Sequence, residues 1–338
     1  MTDAAVQHQE DALSWIGLEQ ELREERPRQW ASRFSEASPN EWNRLMLILA
    51  RHATHIQIQE LIKLLENHPN KHTGSLHRWR QTLLLLAPNF FCEDKRPEVE
   101  HLYQNDHWLT HYKLTARKEA RSRPNTRQTV VAFTGNGGLL MAPIPCILAT
   151  LARHDYDLIV VRRRHKSSYF EGQGQLIHAI CKHLQARLGR EFKRAIVLGT
   201  SSGGLAALCV AQAFALPLGI AIGAGAPSEP WAGTISLASA VNNLAWPSRR
   251  ILWPWQTTRL LLAASAEHQL DSQSALMISG QFNTSCQRTA RATALLFQGC
   301  RNHNLLGNLS HRRCPLEHSL IPLLNNNLTA LPDHRQHS

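Results

Sequence analysis

The sequence predicts an α/β protein: a mostly parallel sheet with helices on both faces, preceded by a helical N-terminal region. Three observations carry this. From residue 129 onward, short β-rich apolar runs alternate with helical segments, and strands joined by crossover helices pair in parallel. Residues 1 to about 120 show instead the three-and-four apolar spacing of amphipathic helices. Between these parts lies ARKEARSRPNTRQ (116–128), charged and interrupted by Pro124, which reads as a linker. The expected division is 1–120 for the helical region and 121–338 for the α/β part.

In the first part, WNRLMLILARHATHIQIQELIKLLENH places Leu45, Ile48, Leu49, Ile56, Leu61, Leu64 and Leu65 on one helical stripe. Asn67-His68-Pro69-Asn70 breaks the pattern, a second helical stretch runs from Leu76 to Leu86, and a third is expected near Val99 to Tyr112. No internal repeat is evident. In the second part, strands are expected at 129–133, 158–161, 195–198, 218–222, 259–263 and 294–297. The helices between them are expected from Ile147 to Arg153, Gln175 to Leu188 and Leu205 to Phe214.

A chain of 338 residues that is 43% apolar can bury a full core. It contains no apolar run of the roughly 20 residues that a bilayer span needs, and its first thirty residues lack a signal-peptide pattern, so a cytoplasmic protein is expected. The seven cysteines (92, 146, 181, 209, 286, 300 and 314) are scattered and form no CxxC pair. They read as buried hydrophobes, with neither a zinc site nor a disulfide framework, and no metal or cofactor is expected.

Residues 1–125 carry 17 basic and 17 acidic side chains, so the net charge of +11 lies wholly in residues 126–338, with 20 basic and 9 acidic. Such a surplus attracts anions: nucleic acid, an acidic glycan or a phospholipid surface; it also serves plain solubility. Nucleic-acid binding is the weakest of these readings, because the basic residues are dispersed and no recognised motif accompanies them. No oligomeric state is legible.

Chemistry is concentrated at Gly199-Thr200-Ser201-Ser202-Gly203, a G-x-S-x-G sequence between an apolar strand and an Ala/Leu-rich helix. That context is the test for a nucleophile elbow, a turn so tight that its neighbours must be small. The helix behind Ser201 offers free N–H groups and a positive dipole end to a developing oxyanion. The sequence lacks the Gly-Lys-Ser/Thr ending of a P-loop, though a bare glycine-rich turn also suits phosphate.

A serine nucleophile needs a base. His303, directly after the last expected strand, is the best placed of 19 histidines; His311 and His318 are alternatives. The acid should follow the 259–263 strand, where Asp271 is chosen over Glu267. Asp271 equally suits the N-cap of a helix over 272–277. The turn Phe133-Thr-Gly-Asn-Gly-Gly138 should add oxyanion donors near Asn136 to the N–H of Ser202.

Two segments bear on substrate. Arg162, Arg163 and Arg164 follow the second strand of the α/β part and are expected on the rim, either solvated or receiving an acidic group. Residues 228–257 contain Trp231, Trp246, Trp253 and Trp255 and suit either a cap insertion or ordinary packing.

Together the FTGNGG turn, the YDLIVVR strand, the LGTSSGG elbow, the stretch Asp271 to Ala275 and the NHN after the last strand resemble the α/β-hydrolase superfamily across roughly residues 129–328. More narrowly they are similar to bacterial hydrolase-like proteins that occur with polysaccharide or glycan functions. Thr134 departs from the His that many relatives carry before the oxyanion glycine, and the acid is displaced from its commonest spacing. The resemblance implies an esterase, deacylase or acyltransferase acting on an acyl ester, including one of an anionic glycan or lipid. A catalytically silent binding or scaffold protein on the same fold is the alternative.

Overall fold

The computed structural model describes residues 17–19, 21–22, 25–53, 55–66, 73–87, 98–103, 107–113, 128–135, 138–163, 169–170, 175–224, 258–285, 290–311, 315–331 and 334–337. Among the elements with described bounds, helices come first: α1 (Pro27–Glu36), α2 (Pro39–His52), α3 (His55–Leu65) and α4 (Thr73–Leu86). Then follow β1 (Glu98–Tyr103), β2 (His107–Lys113), β3 (Gln128–Phe133), α5 (Ile144–Leu151), β4 (Tyr156–Arg163), α6 (Gln175–Leu188), β5 (Ile196–Thr200) and α7 (Gly204–Ala213). The chain continues through β6 (Leu218–Ile222), β7 (Thr258–Ser265), α8 (Gln269–Ser285), β8 (Ala290–Phe297), α9 (Leu305–His311), α10 (Leu316–Leu324) and β9 (His334–His337).

The strands form one sheet in the order β1-β2-β4-β3-β5-β6-β7-β8-β9. The run from β4 to β8 is parallel, while β1, β2 and β9 join through antiparallel pairings. Two-residue alternation sorts the side chains onto two cores. Val130, Leu158, Val160, Ile196, Leu198 and Ile220 pack with α1 to α5, α9 and α10. Val131, Ile159, Val161, Val197, Leu260 and Leu262 pack with α6, α7 and α8. A parallel sheet covered on both faces needs apolar residues in both registers, which is why these strands read as continuous apolar runs. The chain therefore has the mostly parallel, doubly covered architecture expected.

The N-terminal helices cover one face of the sheet and share its core. Trp30, Phe34, Leu45, Ile48, Leu49, Ile58, Leu61 and Leu65 are buried with Val130 and Ile144. Ser38 starts α2 with a capping box: its Oγ accepts the Glu41 N–H at 3.4 Å and its N–H donates to Glu41 Oε2 at 2.8 Å, with Pro39 in the first turn. The 45–65 stripe is two helices, parted at Ala53, not one.

The helix expected near Val99 to Tyr112 is not observed; those residues are the hairpin strands β1 and β2, which pair onto β4. The strand formers Val99, Tyr103, Trp108, Thr110 and Tyr112 set a two-residue rhythm. Residues before 121 thus contribute to the same sheet as those after it. Residues 116–127 of the expected linker and the tryptophan-bearing 228–257 segment lie outside the described residues, while Gln128, the linker's last residue, opens β3. No helix among the described residues is long and apolar enough to cross a membrane.

Candidate active site

β5 ends at Thr200 and α7 begins at Gly204, so the chain reverses within a single 3-10 turn, Ser201–Gly203. Ser201 sits in that turn with φ 50°, a left-handed conformation that costs a non-glycine residue of order 1 kcal/mol and persists where surrounding packing enforces it. The packing here is explicit. A Cβ added to Gly199 would lie 2.1 Å from the Gly203 carbonyl oxygen, and one added to Gly203 would lie 2.4 Å from the Phe133 carbonyl oxygen. Neither position tolerates a side chain, so the small residues flanking Ser201 are a condition of the turn. Behind it, α7 is buried from Gly204 through Ala211, which its Ala/Leu composition permits.

The glycine turn after β3 lies against this elbow. An added Cβ at Gly135 would be 3.1 Å from Ser201 Cβ, and Thr200 Oγ1 donates to the Leu139 carbonyl at 3.3 Å. The N–H of Gly135 is bonded to Leu139 O and that of Gly138 to Gly135 O, each at 3.1 Å. Asn136, expected to be an oxyanion donor, lies outside the described residues, as does Gly137. Thr134 is buried, with its Oγ1 donating to the Val161 carbonyl at 3.2 Å. Tyr169, fully buried, directs its hydroxyl at the carbonyls of Thr134 (3.1 Å) and Val161 (3.2 Å). Burial pushes the Tyr169 phenol up from its ordinary value.

His303 lies in the loop between β8 and α9. Its Nδ1 is 2.9 Å from Asp271 Oδ1 and 3.0 Å from Oδ2. Asp271 is 4% exposed and occupies the first turn of α8, which begins at Gln269, so it is not the N-cap of a helix over 272–277. With Nδ1 held by the carboxylate, Nε2 is the nitrogen turned away from it. On the far side, His303 Cε1 comes within 3.2 Å of the Cβ position of Gly223. Gly223 directly follows β6, whose Ile222 is in register with Thr200. Ser201 and Gly223 are the residues that directly follow this last registered pair. The imidazole and the elbow therefore share the carboxyl ends of β5 and β6.

The other candidates sit elsewhere. Glu267 is exposed and its Oε1 accepts the Gly299 N–H at 2.6 Å, tying together the turns after β7 and β8. His318 is exposed on α10. Of the three arginines, Arg163 is beside the elbow: its Nη2 donates to Ser202 Oγ at 2.9 Å, and its guanidinium carbon stands 4.5 Å from the Tyr169 ring centroid. Arg162, expected on the rim, is instead only 3% exposed on the opposite face. Its Nη1 donates to Glu19 Oε1 at 2.7 Å and its Nη2 to Thr110 Oγ1 at 3.2 Å. Alternation along β4 is the reason: consecutive residues face opposite sides, and only Arg163 shares a side with the elbow. Arg164 lies outside the described residues.

Two contacts escaped the sequence reading. His268 Nδ1 lies 3.2 Å from Asp271 Oδ1, and its ring centroid is 5.9 Å from that of His303. Glu19, buried, also accepts from Arg51 Nη1 at 2.7 Å. Arg51 in turn packs its Nε 3.3 Å from the Cβ position of Gly138, so the helical region braces the glycine turn.

No family model and no curated protein sequence matches the chain. Among solved structures, it is similar to MGS-M1, an α/β-hydrolase enzyme from a Medee basin deep-sea metagenome library, at 12% identity and TM-score 0.47, covering 70% of this chain and 96% of that one. It is also similar to the substrate-bound fluorophosphonate-binding serine hydrolase F of Staphylococcus aureus, at 12% identity and TM-score 0.46, covering 65% and 97%. A Pyrobaculum calidifontis esterase matches at 14% identity and TM-score 0.44, covering 80% and 96%. The chain spans 36% of the length of a Bacteroides ovatus protein described as a dipeptidyl aminopeptidase IV, with 67% of this chain covered, 12% identity and TM-score 0.44.

Proposed function

We propose that the protein is a serine hydrolase that cleaves an acyl ester through Ser201, His303 and Asp271. The observation that carries this reading is a strained elbow serine, φ 50°, at the carboxyl end of β5, and, past the end of neighbouring β6, an imidazole held through Nδ1 by a buried carboxylate at 2.9 Å. Asp271 fixes the tautomer in which Nδ1 carries the proton and Nε2 the lone pair. Nε2 then takes the Ser201 proton as Oγ attacks the acyl carbon, and returns it to the departing alcohol. The resulting acyl-serine is released by water or by a second nucleophile, by the same proton path in reverse.

The developing oxyanion is received by the Ser202 N–H at the start of the turn, where the dipole of α7 adds a positive end. A second donor is assigned to the turn after β3 near Asn136, since the Gly135 and Gly138 N–H groups are bonded within the turn. Arg163 supplies the charge for an anionic group on the substrate, such as an acidic glycan or phospholipid ester, because its guanidinium stands next to Ser202.

The test is labelling by a fluorophosphonate probe. Wild-type protein should be labelled and Ser201→Ala should not. Labelling that survives the substitution, or none in a folded wild type, sinks the proposal.

A further inference from the structure

We infer that His268, Asp271 and His303 form a zinc-binding site whose occupation silences the proposed catalytic base. The inhibitory half rests on the hydrolase reading above, whereas the binding half stands on geometry alone. One ligand atom from each of His268, Asp271 and His303 lies within 4.8 Å of the other two, the only group of three such ligands among the described residues. Both imidazoles present the same nitrogen to the same carboxylate, at 2.9 Å for His303 and 3.2 Å for His268. Tetrahedral zinc with ligands at about 2.0–2.1 Å holds them about 3.3 Å apart. Two of the three separations are near that value already.

A second feature of the cluster also points to a cation. The Asp271 backbone N–H points at His268 Nδ1 from 3.4 Å, as it would at an accepting nitrogen, and the carboxylate oxygen stands 3.2 Å from the same atom. Two electron-pair donors facing each other are held together either by a proton or by a cation between them. Two imidazoles and one carboxylate form the borderline-soft set that zinc favours over magnesium or calcium. The side chains of His268 and His303 are 29% and 40% exposed, so an ion can enter and a water can take the fourth position.

The consequence for His303 follows from its two nitrogens. Without metal, the neutral ring donates its Nδ1 proton to Asp271 and keeps a lone pair on Nε2. Zinc takes the Nδ1 lone pair, so the ring proton moves to Nε2 and no proton need leave the neutral ring. An Nε2 that bears a proton cannot accept the one on Ser201. The same metal also withdraws Asp271 from its orienting role.

The experiment is calorimetric titration of metal-free protein with zinc chloride, alongside hydrolysis of a p-nitrophenyl ester measured against each protein's own zinc-free rate. Cobalt(II) gives a second readout through its visible d–d absorption. Wild type should bind one zinc, lose activity in proportion to occupancy, and give tetrahedral cobalt bands. His268→Ala and His268→Gln should each bind zinc at least about tenfold more weakly and need correspondingly more zinc for half inhibition. Zinc that does not bind wild type, or binds both variants as tightly, overturns the site. Zinc that binds at His268 while the rate stays unchanged overturns the inhibitory role. A protein that binds zinc in this His268-dependent way but never hydrolyses an ester keeps the site and loses the hydrolase reading instead.

Discussion

Asp271 receives His303 Nδ1 on both carboxylate oxygens, at 2.9 and 3.0 Å, from a position buried at the start of α8. A carboxylate so placed has one orientation available and offers the ring one tautomer. Asp271→Asn keeps the shape but can present its NH₂ group, which favours the wrong tautomer. The expected result is a fall in kcat of about 10⁴-fold with KM little changed. Steady-state kinetics on an ester substrate decide it, and a loss below tenfold would show that Asp271 does not govern the ring.

Ser201 carries strain that its own replacement should reveal. Its φ of 50° suits glycine, so Ser201→Gly should abolish labelling yet stabilise the fold by about 1 kcal/mol, while Ser201→Ala abolishes labelling without that gain. Gly203→Ala should do the opposite, because its Cβ would meet the Phe133 carbonyl oxygen at 2.4 Å; a loss of at least about 3 kcal/mol is expected. Urea unfolding of the variants supplies the comparison. A Ser201→Gly protein less stable than Ser201→Ala would remove strain from the account.

The elbow was legible because its requirements are local: an apolar strand, small residues at 199, 203 and 204, and a helix former behind. The parallel strands were legible because burial on both faces writes an unbroken apolar run. β1 and β2 were not, since EVEHLY and HWLTHYK place histidines and charges among strand formers and fit a helical spacing as well as a pleated one. β9, His334–His337, is a polar edge strand with no apolar signal at all. The placement of Arg162 was hidden for another reason: its partner Glu19 lies 143 residues away, so the charge that draws it inward is visible only after folding. His268 belongs to the same class, because α8 must form before its ring meets Asp271.

Arg163 stands beside the elbow, its guanidinium bonded to Ser202 Oγ, and the proposed function gives it a substrate charge to read. Arg163→Gln should raise KM for an anionic ester by about tenfold and leave a neutral ester of equal size within about twofold, the difference reflecting one charge-assisted contact of roughly 1.5 kcal/mol. Because the guanidinium also donates to Ser202 Oγ, both substrates should be measured in the same preparation. Equal changes for the two esters would mean that Arg163 only braces the elbow.

Glu19 joins Arg51 and Arg162 through 2.7 Å bonds, with side-chain exposures of 5%, 12% and 3%. Removing that carboxylate takes an ion-pair partner from two buried guanidinium groups at once. Glu19→Gln should therefore destabilise the protein by about 3–5 kcal/mol, while Glu21→Gln, at the exposed partner of Arg33, should cost under about 1 kcal/mol. Because Arg51 packs on the Gly138 turn, Glu19→Gln should also lower kcat, which Glu21→Gln should not. Urea midpoints and kcat together test this; a Glu19 variant as stable as the Glu21 variant would contradict it.

His111 makes the acid limb of stability predictable. It is buried on β2, where its Nδ1 accepts from Arg187 Nη2 at 3.4 Å, and Arg187 in turn is bonded to Glu100. Burial, then the positive charges of Arg187 and Lys113, hold the imidazole down at about 4 from an ordinary 6.5, with Glu100 opposing. The folded protein thus keeps His111 neutral where the unfolded chain would protonate it. Its contribution is fully present above pH 6.5 and is lost as pH falls through the window down to about 4. Allowing for solvent screening, that loss is on the order of 2 kcal/mol. Burial lowers the His183 imidazole in the same direction, adding to the slope. Replacing His111 with Gln removes the titrating group, so the variant's unfolding free energy should fall less steeply than wild type between pH 7 and 4.5 in urea melts. Parallel slopes for the two proteins would show that His111 does not set the acid limb.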